Sequence, residues 1–312
     1  MGAADTASLL PGETRKFLIV TADDFGLHPA VNEAVEQSSR AGVLTAASLM
    51  IAAPAAADAV RRARGLHNLR IGLHLVLADG RSVLSPQQIP ALVDIHGRFG
   101  NRMFMNGLRY AFLPAVRRQL EAEIRAQFAA FAETGLVLDH VNAHKHFHLH
   151  PSLLEMILRI GGDFGLRAVR VPDEPLWAAR LGGARFAGCA AAVLLTPWLA
   201  LMKRRLRSAG ITYNDRVFGI AFSGSMDEAR LLRILARLGP GITEIYLHPA
   251  TESGHVIAPS MCTYRHADEL AALLSSRVRA AIAAAGVCLG GYRDLPPMLE
   301  TLARQGSRRP CI

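Results

Sequence analysis

Lysine is nearly missing from this chain. Only Lys16, Lys145 and Lys203 occur, so arginine supplies almost all of the 35 basic residues that, against 26 acidic ones, leave a net charge of +9. A basic balance can favour nucleic acid or anionic lipid. Aromatic residues are only 6% of the chain and do not interleave with the basic ones, which argues against nucleic acid. Cysteine is scarce too: Cys189, Cys262, Cys288 and Cys311 are scattered, without a CxxC pair. That spacing excludes a zinc ribbon or a disulfide framework and suits a reducing cytoplasm. No apolar run reaches the roughly twenty residues of a membrane-spanning helix. One uncharged stretch of seventeen, FAGCAAAVLLTPWLALM (186–202), is broken by Pro197 and followed by KRRLR. The N-terminus does not read as a secretory signal, and there is no internal repeat or low-complexity tract.

Half of the residues, 51%, are hydrophobic, ample for a large core. Short β-rich runs alternate with helical patterns. Strands are predicted at 17–22, 44–51, 69–77, 137–142, 168–172, 216–222, 242–248 and near 287–290, and helices at 29–40, 55–64, 114–133, 151–161, 227–238 and 266–285. Such alternation implies parallel βαβ units. The expected fold is a single-domain distorted (β/α) barrel of seven or eight mainly parallel strands over residues 16–305. A loop-rich insertion at 78–113 and an apolar helical excursion within 173–210 interrupt it, between a disordered lead-in at 1–15 and a tail at 306–312.

Polar groups then gather where the strands end. Asp23 and Asp24 close the first strand in TADDFG, His74 lies in GLHLVL, Arg170 in VRVPDEP and His248 in YLHPA. Barrel enzymes assemble their sites at this C-terminal edge. In HVNAHKHFHLHP (140–151), His140, Asn142, His144, His146, His148 and His150 alternate with other residues, so an extended segment would put them on one face. A single metal with ligand bonds of about 2 Å can use only one or two of them. The rest must orient ligands, hold substrate or lie outside the site. Of the two aspartates, one can bind a cation while the other accepts a proton from water; capping of the next helix is the competing use. Taken singly, His74 reads as a core histidine, and His248 reads equally as a turn or an acid/base residue.

LIVTADDFG, GLHL, NAHKHFHLHP and the late YLHP together resemble the YdjC-like carbohydrate deacetylases, and most closely their hopanoid-biosynthesis-associated branch; the likeness covers about residues 16 to 295. The resemblance implies hydrolysis of an N-acetyl group on an amino sugar with one divalent metal ion, Mg²⁺ or Zn²⁺. It implies Asp24, His74 and His144 as metal ligands, Asp23 as general base and His248 as the candidate acid. Relatives carry Asp-Ser where this chain has Asn142-Ala143, a departure that alters the surroundings of His144. Arg170, Glu174, His146 and His148 are candidates for holding substrate, with a surface ion pair as the competing reading of Arg170 and Glu174. The branch implies a lipid-linked substrate, an N-acetylglucosaminyl hopanoid. The 186–207 stretch fits either peripheral docking on anionic membrane from the cytoplasmic side or a buried barrel helix. Another mononuclear metal hydrolase, such as a phosphoesterase, and a non-catalytic sugar- or lipid-binding protein are the alternatives.

Overall fold

The structure, a computed structural model, describes residues 16–181, 186–251 and 257–295, the side chains at 181 and 186–192 excepted. The lead-in at 1–15 and the tail at 306–312 lie outside them. In chain order the elements are β1 (Lys16–Phe25), α1 (Pro29–Ala41), β2 (Ala46–Leu49), α2 (Ala56–Ala63), β3 (Arg70–Leu75), α3 (Met103–Phe112), α4 (Pro114–Glu133), β4 (Leu138–Ala143), α5 (Pro151–Gly162), α6 (Leu176–Leu181), α7 (Phe186–Ser208), β5 (Arg216–Phe218), α8 (Glu228–Leu235), β6 (Gly241–Leu247), α9 (His266–Leu274), α10 (Ser276–Ala284) and β7 (Cys288–Leu289).

The strands form one parallel sheet in the order β4-β3-β2-β1-β6-β5, with β7 beside the start of β1. The sheet curls, and irregular pairing joins its two edges. Val141 on β4 bridges Val169, Ala168 bridges Thr212, and the Val217 N–H on β5 donates to Asp173 O. Between the bridges the side chain of Asn214 stands in for a strand, accepting from Val171 N and donating to Val171 O at 2.7 Å each. This is the expected distorted (β/α) barrel, with the segment 168–172 present only as isolated bridges.

β1 shows why the interior is apolar at one end and polar at the other. Alternate residues face the same side, so Phe17, Ile19, Thr21 and Asp23 climb one face while Leu18, Val20 and Ala22 face the other. Phe17 and Ile19 pack with Ala46, Ala168, Tyr292 and Leu295 in a small apolar cluster of their own. Leu18, Val20 and Ala22 belong to the main core, with α1, α4 and α5. Helix α4 carries Val116, Leu120, Ile124 and Phe128 at four-residue spacing, all buried. Each such side chain contributes about 1.5–3 kcal/mol on burial. Near the top, β3 must pass the imidazole of His140: a Cβ on Gly72 would come within 2.4 Å of that ring, so this strand position requires glycine.

Three expectations are corrected. The strand expected at 137–142 is β4, but the histidines beyond it do not share one face: from His144 to Leu149 the chain makes a tight helical turn, with Lys145 and His146 both at φ 55°. The 78–113 insertion is not all loop, because α3 fills its last third. The predicted helix 266–285 is two helices, divided at Ser275, whose hydroxyl accepts from the N–H groups of Arg277 and Val278 and so starts α10.

Candidate metal centre and active site

Asp23 and Asp24 are neighbours, so in a regular strand they would face opposite sides. The pairing of β1 with β2 shifts register between Ala22 and Phe25, and Asp24 adopts φ 62°. The irregularity lets both carboxylates reach the barrel mouth. A left-handed residue other than glycine costs on the order of 1 kcal/mol.

Asp24, His74 and His144 converge, and one donor atom from each lies within 4.8 Å of the others. Asp24 Oδ1 is 3.3 Å from His74 Nε2 and 3.1 Å from His144 Nδ1, while Oδ2, 3.8 Å from His248 Nε2, is buried without a hydrogen bond. The two ligand rings meet edge to face, with centroids 5.5 Å apart. Asn142, paired with His74 in the sheet register, accepts the His74 Nδ1 hydrogen at 2.7 Å. Nδ1 therefore carries a hydrogen, and in the neutral ring Nε2, which faces Asp24, is the nitrogen left to ligate a metal; burial tends to lower the His74 pKa, but Asp23 and Asp24 raise it. The same amide donates to Asp23 Oδ1 at 3.2 Å and to Ser48 Oγ at 2.9 Å. An uncharged Asn at this position therefore still orients the ligand.

Charge balance supports a cation here. Asp23, Asp24 and Glu244 are all buried, and the one buried guanidinium among them is Arg170. With the surrounding imidazoles neutral, as metal ligation requires, three carboxylates against one guanidinium leave a net charge of about −2, which a divalent ion would neutralise. Burial tends to raise the Asp24 pKa, but the His144 and His74 imidazoles beside it hold the carboxyl well below its usual range. The residues present thus fit a divalent ion in donor type, spacing and charge.

Asp23 faces the same cavity, of about 250 Å³, lined also by His74, His144, His146, Tyr246, His248 and Tyr264. Burial tends to raise its pKa; Arg170, joined to it at 2.5 and 2.9 Å, outweighs this and keeps the carboxylate ionised at all working pH. His248 lies beside it, one residue past Leu247 on β6, which pairs with Ala22 on β1. Its N–H donates to Glu269 at 2.5 Å, and its carbonyl is 2.6 Å from His266 Nδ1, so its backbone is clamped while its own Nδ1 has no partner. Burial lowers the His248 pKa, and Asp24 and Asp23 only partly offset that.

The four proposed substrate contacts separate. His146 lines the cavity, with Nε2 2.9 Å from the Tyr246 hydroxyl. The other three do not. Arg170 has 0% exposure and gives its donors to Asp23 and Glu244, so it holds the Asp23 carboxylate from behind. The Glu174 carboxylate accepts from the backbone N–H groups of Gly219, Ile220 and Ala221 and ties down that turn. His148 is buried with Nε2 donating to Arg170 O. The sequence reading missed Asn142 as the orienting group, and Glu244 and Tyr246 on β6. The alternation in ITEIYLH, with Glu244, Tyr246 and His248 on one face, is the signal that could have found the last two.

An α/β barrel with one carboxylate and two imidazoles converging at the C-terminal ends of its strands is the architecture of a mononuclear metal centre. The chain belongs to the YdjC-like protein family, whose profile matches residues 17–284. It is 30% identical to the mouse carbohydrate deacetylase, covering 89% of this chain and 94% of that one. It is 28% identical to the carbohydrate deacetylase of Geobacillus stearothermophilus (89% and 98% covered) and to the chitooligosaccharide deacetylase of Serratia marcescens (90% and 99%). Among solved structures, an Enterococcus faecalis protein named for cellobiose-phosphate cleavage superposes with a TM-score of 0.69 at 23% identity, over 91% of this chain and 99% of its own, a likeness of fold.

Proposed function

We propose that this chain is a metal-dependent carbohydrate deacetylase that hydrolyses the N-acetyl group of an amino sugar. The observation that carries the reading is the convergence of Asp24, His74 and His144 beside an ionised Asp23 in a cavity of about 250 Å³. A divalent ion held by those three residues supplies a Lewis acid for the amide carbonyl and lowers the pKa of water. Asp23, fixed by Arg170 and Asn142, takes a proton from the attacking water. As the C–O bond forms and the C–N bond breaks, the protonated form of His248, on the strand end next to Asp23, gives a proton to the departing amine, and acetate and the free amino sugar leave. A water proton taken up by Asp23 balances the one delivered by His248.

A lipid-linked substrate, with an N-acetylglucosaminyl hopanoid as the specific candidate, is the finer reading. Its support is the resemblance of the histidine motif together with two exposed apolar stripes. Leu194 is 80% exposed and Leu201 39% on α7, and Phe104 and Phe112 are 77% and 74% exposed on α3. Both helices lean on one turn: Trp198 donates its indole N–H to Leu149 O, and Gly107 backs onto the His150 ring. Exposed Arg204, Arg205 and Arg207 follow the α7 stripe. Exposed apolar side chains beside cations are the pattern of an interfacial surface on anionic lipid. No helix among the described residues is long and apolar enough to cross a membrane. The test of function is acetate release from N-acetylglucosamine and from an N-acetylglucosaminyl lipid. Activity that needs a divalent metal and is abolished by both Asp23→Asn and His144→Ala is expected. Wild-type protein releasing no acetate with any divalent metal would overturn the reading.

A further inference from the structure

The catalytic cavity adjoins a larger pocket of about 860 Å³ that shares His144, Ser260 and Met261 with it. Its walls are largely apolar, from Leu27, Met50, Val76 and Ile257 among others. Its lining carries two aspartates and two arginines, and the aspartates are already engaged. Asp58 is matched by Arg61 and Arg62, and Asp79 by Lys145 at 2.7 Å. Arg81 and Arg98 also line it, both exposed, and neither makes an ion pair with a described residue.

These two arginines face each other. They form an antiparallel bridge in the hairpin closed by Phe99 N to Gly80 O and Ser82 N to Gly97 O. Directly opposed residues of such a pair project to the same side, with Cβ atoms about 5 Å apart, and like charges there are destabilising. The repulsion turns into attraction when an anion sits between the two guanidinium groups. Their planar forks match the oxygens of phosphate. The larger pocket thus holds two arginines outside any ion pair, Arg98 with Asp94 nearby, next to a cavity lined by Asp23.

We propose that Arg81 and Arg98 bind a phosphate oxyanion brought beside the scissile amide, carried either by the sugar substrate or by the headgroup of an anionic lipid. That the pocket serves substrate rests on the deacetylase reading; that it binds phosphate does not.

The experiment measures calorimetric binding of inorganic phosphate to the full chain and to Arg81→Gln/Arg98→Gln, whose exposed positions leave the core untouched. The double variant should bind at least tenfold more weakly, and equal binding would overturn the proposal, whether or not the protein deacetylates anything. Two further arms assign the source. A fall of at least tenfold in the preference for N-acetylglucosamine 6-phosphate over N-acetylglucosamine, read as a ratio of kcat/KM, places the phosphate on the sugar. Loss of sedimentation with phosphatidylglycerol vesicles, with that ratio unchanged, places it on the lipid.

Discussion

Replacing Arg170 with Met should be among the most destabilising single changes in the barrel. Arg170 is fully buried and spends four hydrogen bonds on two carboxylates, at 2.5 and 2.9 Å to Asp23 and 2.8 and 3.0 Å to Glu244. Met fills similar space but leaves Asp23 and Glu244 buried without their counterion. Removing one partner of a buried pair costs about 3–5 kcal/mol, because the remaining charge is uncompensated. Here two charges are stranded, so the upper part of that range applies, out of about 5–15 kcal/mol for a whole domain. Asp23→Asn is the contrasting change. It keeps an oxygen for Arg170 Nη2 but sets an amide N–H against Nη1, so it should cost roughly 1–3 kcal/mol, less than stranding both carboxylates, while activity is lost. Arg170→Lys should fall between, since an ammonium cannot bridge both carboxylates in parallel.

The assay is urea unfolding in the presence of a chelator, so that bound metal adds nothing. Glu244→Gln completes a cycle. Its cost should not add to that of Arg170→Met, and the double variant should recover about 1–3 kcal/mol relative to the sum. An Arg170→Met protein within about 1 kcal/mol of wild type, or a coupling near zero, would refute the view that this guanidinium is the buried counterion of the site.

Zn²⁺ or Mn²⁺ at a hundred times its Kd should stabilise the wild type by about 2.7 kcal/mol, seen as a rise in Tm that Asp24→Asn and His74→Ala both lose. His148 is held neutral by burial, with its pKa pushed down from 6.5 to about 3. The unfolded chain takes up that proton below pH 6.5 and the folded one does not until about pH 3, so stability falls on acidification by about 1.4 kcal/mol per pH unit across that window. His148→Gln should make the slope between pH 6 and 4 shallower by that amount, measured by urea midpoints; an unchanged slope would show that the ring is protonated in the fold. Flotation with phosphatidylglycerol liposomes should drop severalfold on Phe104→Ser/Phe112→Ser and on neutralising Arg204, Arg205 and Arg207, and recovery equal to wild type would remove the membrane reading.

The parts of the fold legible in the sequence were those set by short-range pattern. Helix α4 was expected at 114–133 and spans Pro114–Glu133, because an uninterrupted four-residue apolar period follows a proline suited to its first turn. The residues proposed as metal ligands were picked out by resemblance and by their positions at strand ends, which a parallel barrel places on one rim. The comb was misread because nothing local announces that Lys145 and His146 go left-handed; neither is a glycine. The turn is held by tertiary bonds, His146 to Tyr246 and His148 to Arg170 O, formed with residues 22 to 100 positions away. Helix α3 was missed since Phe104, Met105, Leu108 and Phe112 mark a face that turns to solvent, and periodicity does not say which way a stripe points.

Charge was the feature most easily misassigned, and the reason is physical. A lone Arg or Glu near a strand end reads as solvent- or substrate-facing, since such groups are rarely buried unpaired. In this barrel the pairing that permits burial is assembled across the ring: Arg170 lies 147 residues from Asp23 and 74 from Glu244, and Tyr292 and Thr21 add hydroxyl donors to Glu244. That arrangement gives Asp23 a fixed orientation and a permanent negative charge while leaving Asp24 Oδ2 without a hydrogen bond. A barrel selected only for stability would fill its mouth with apolar side chains or satisfy every buried oxygen. The surplus negative charge is concentrated where Asp24, His74 and His144 meet, with Asp24 Oδ2 turned towards His248 and unpaired, and a bound cation is expected to relieve that instability.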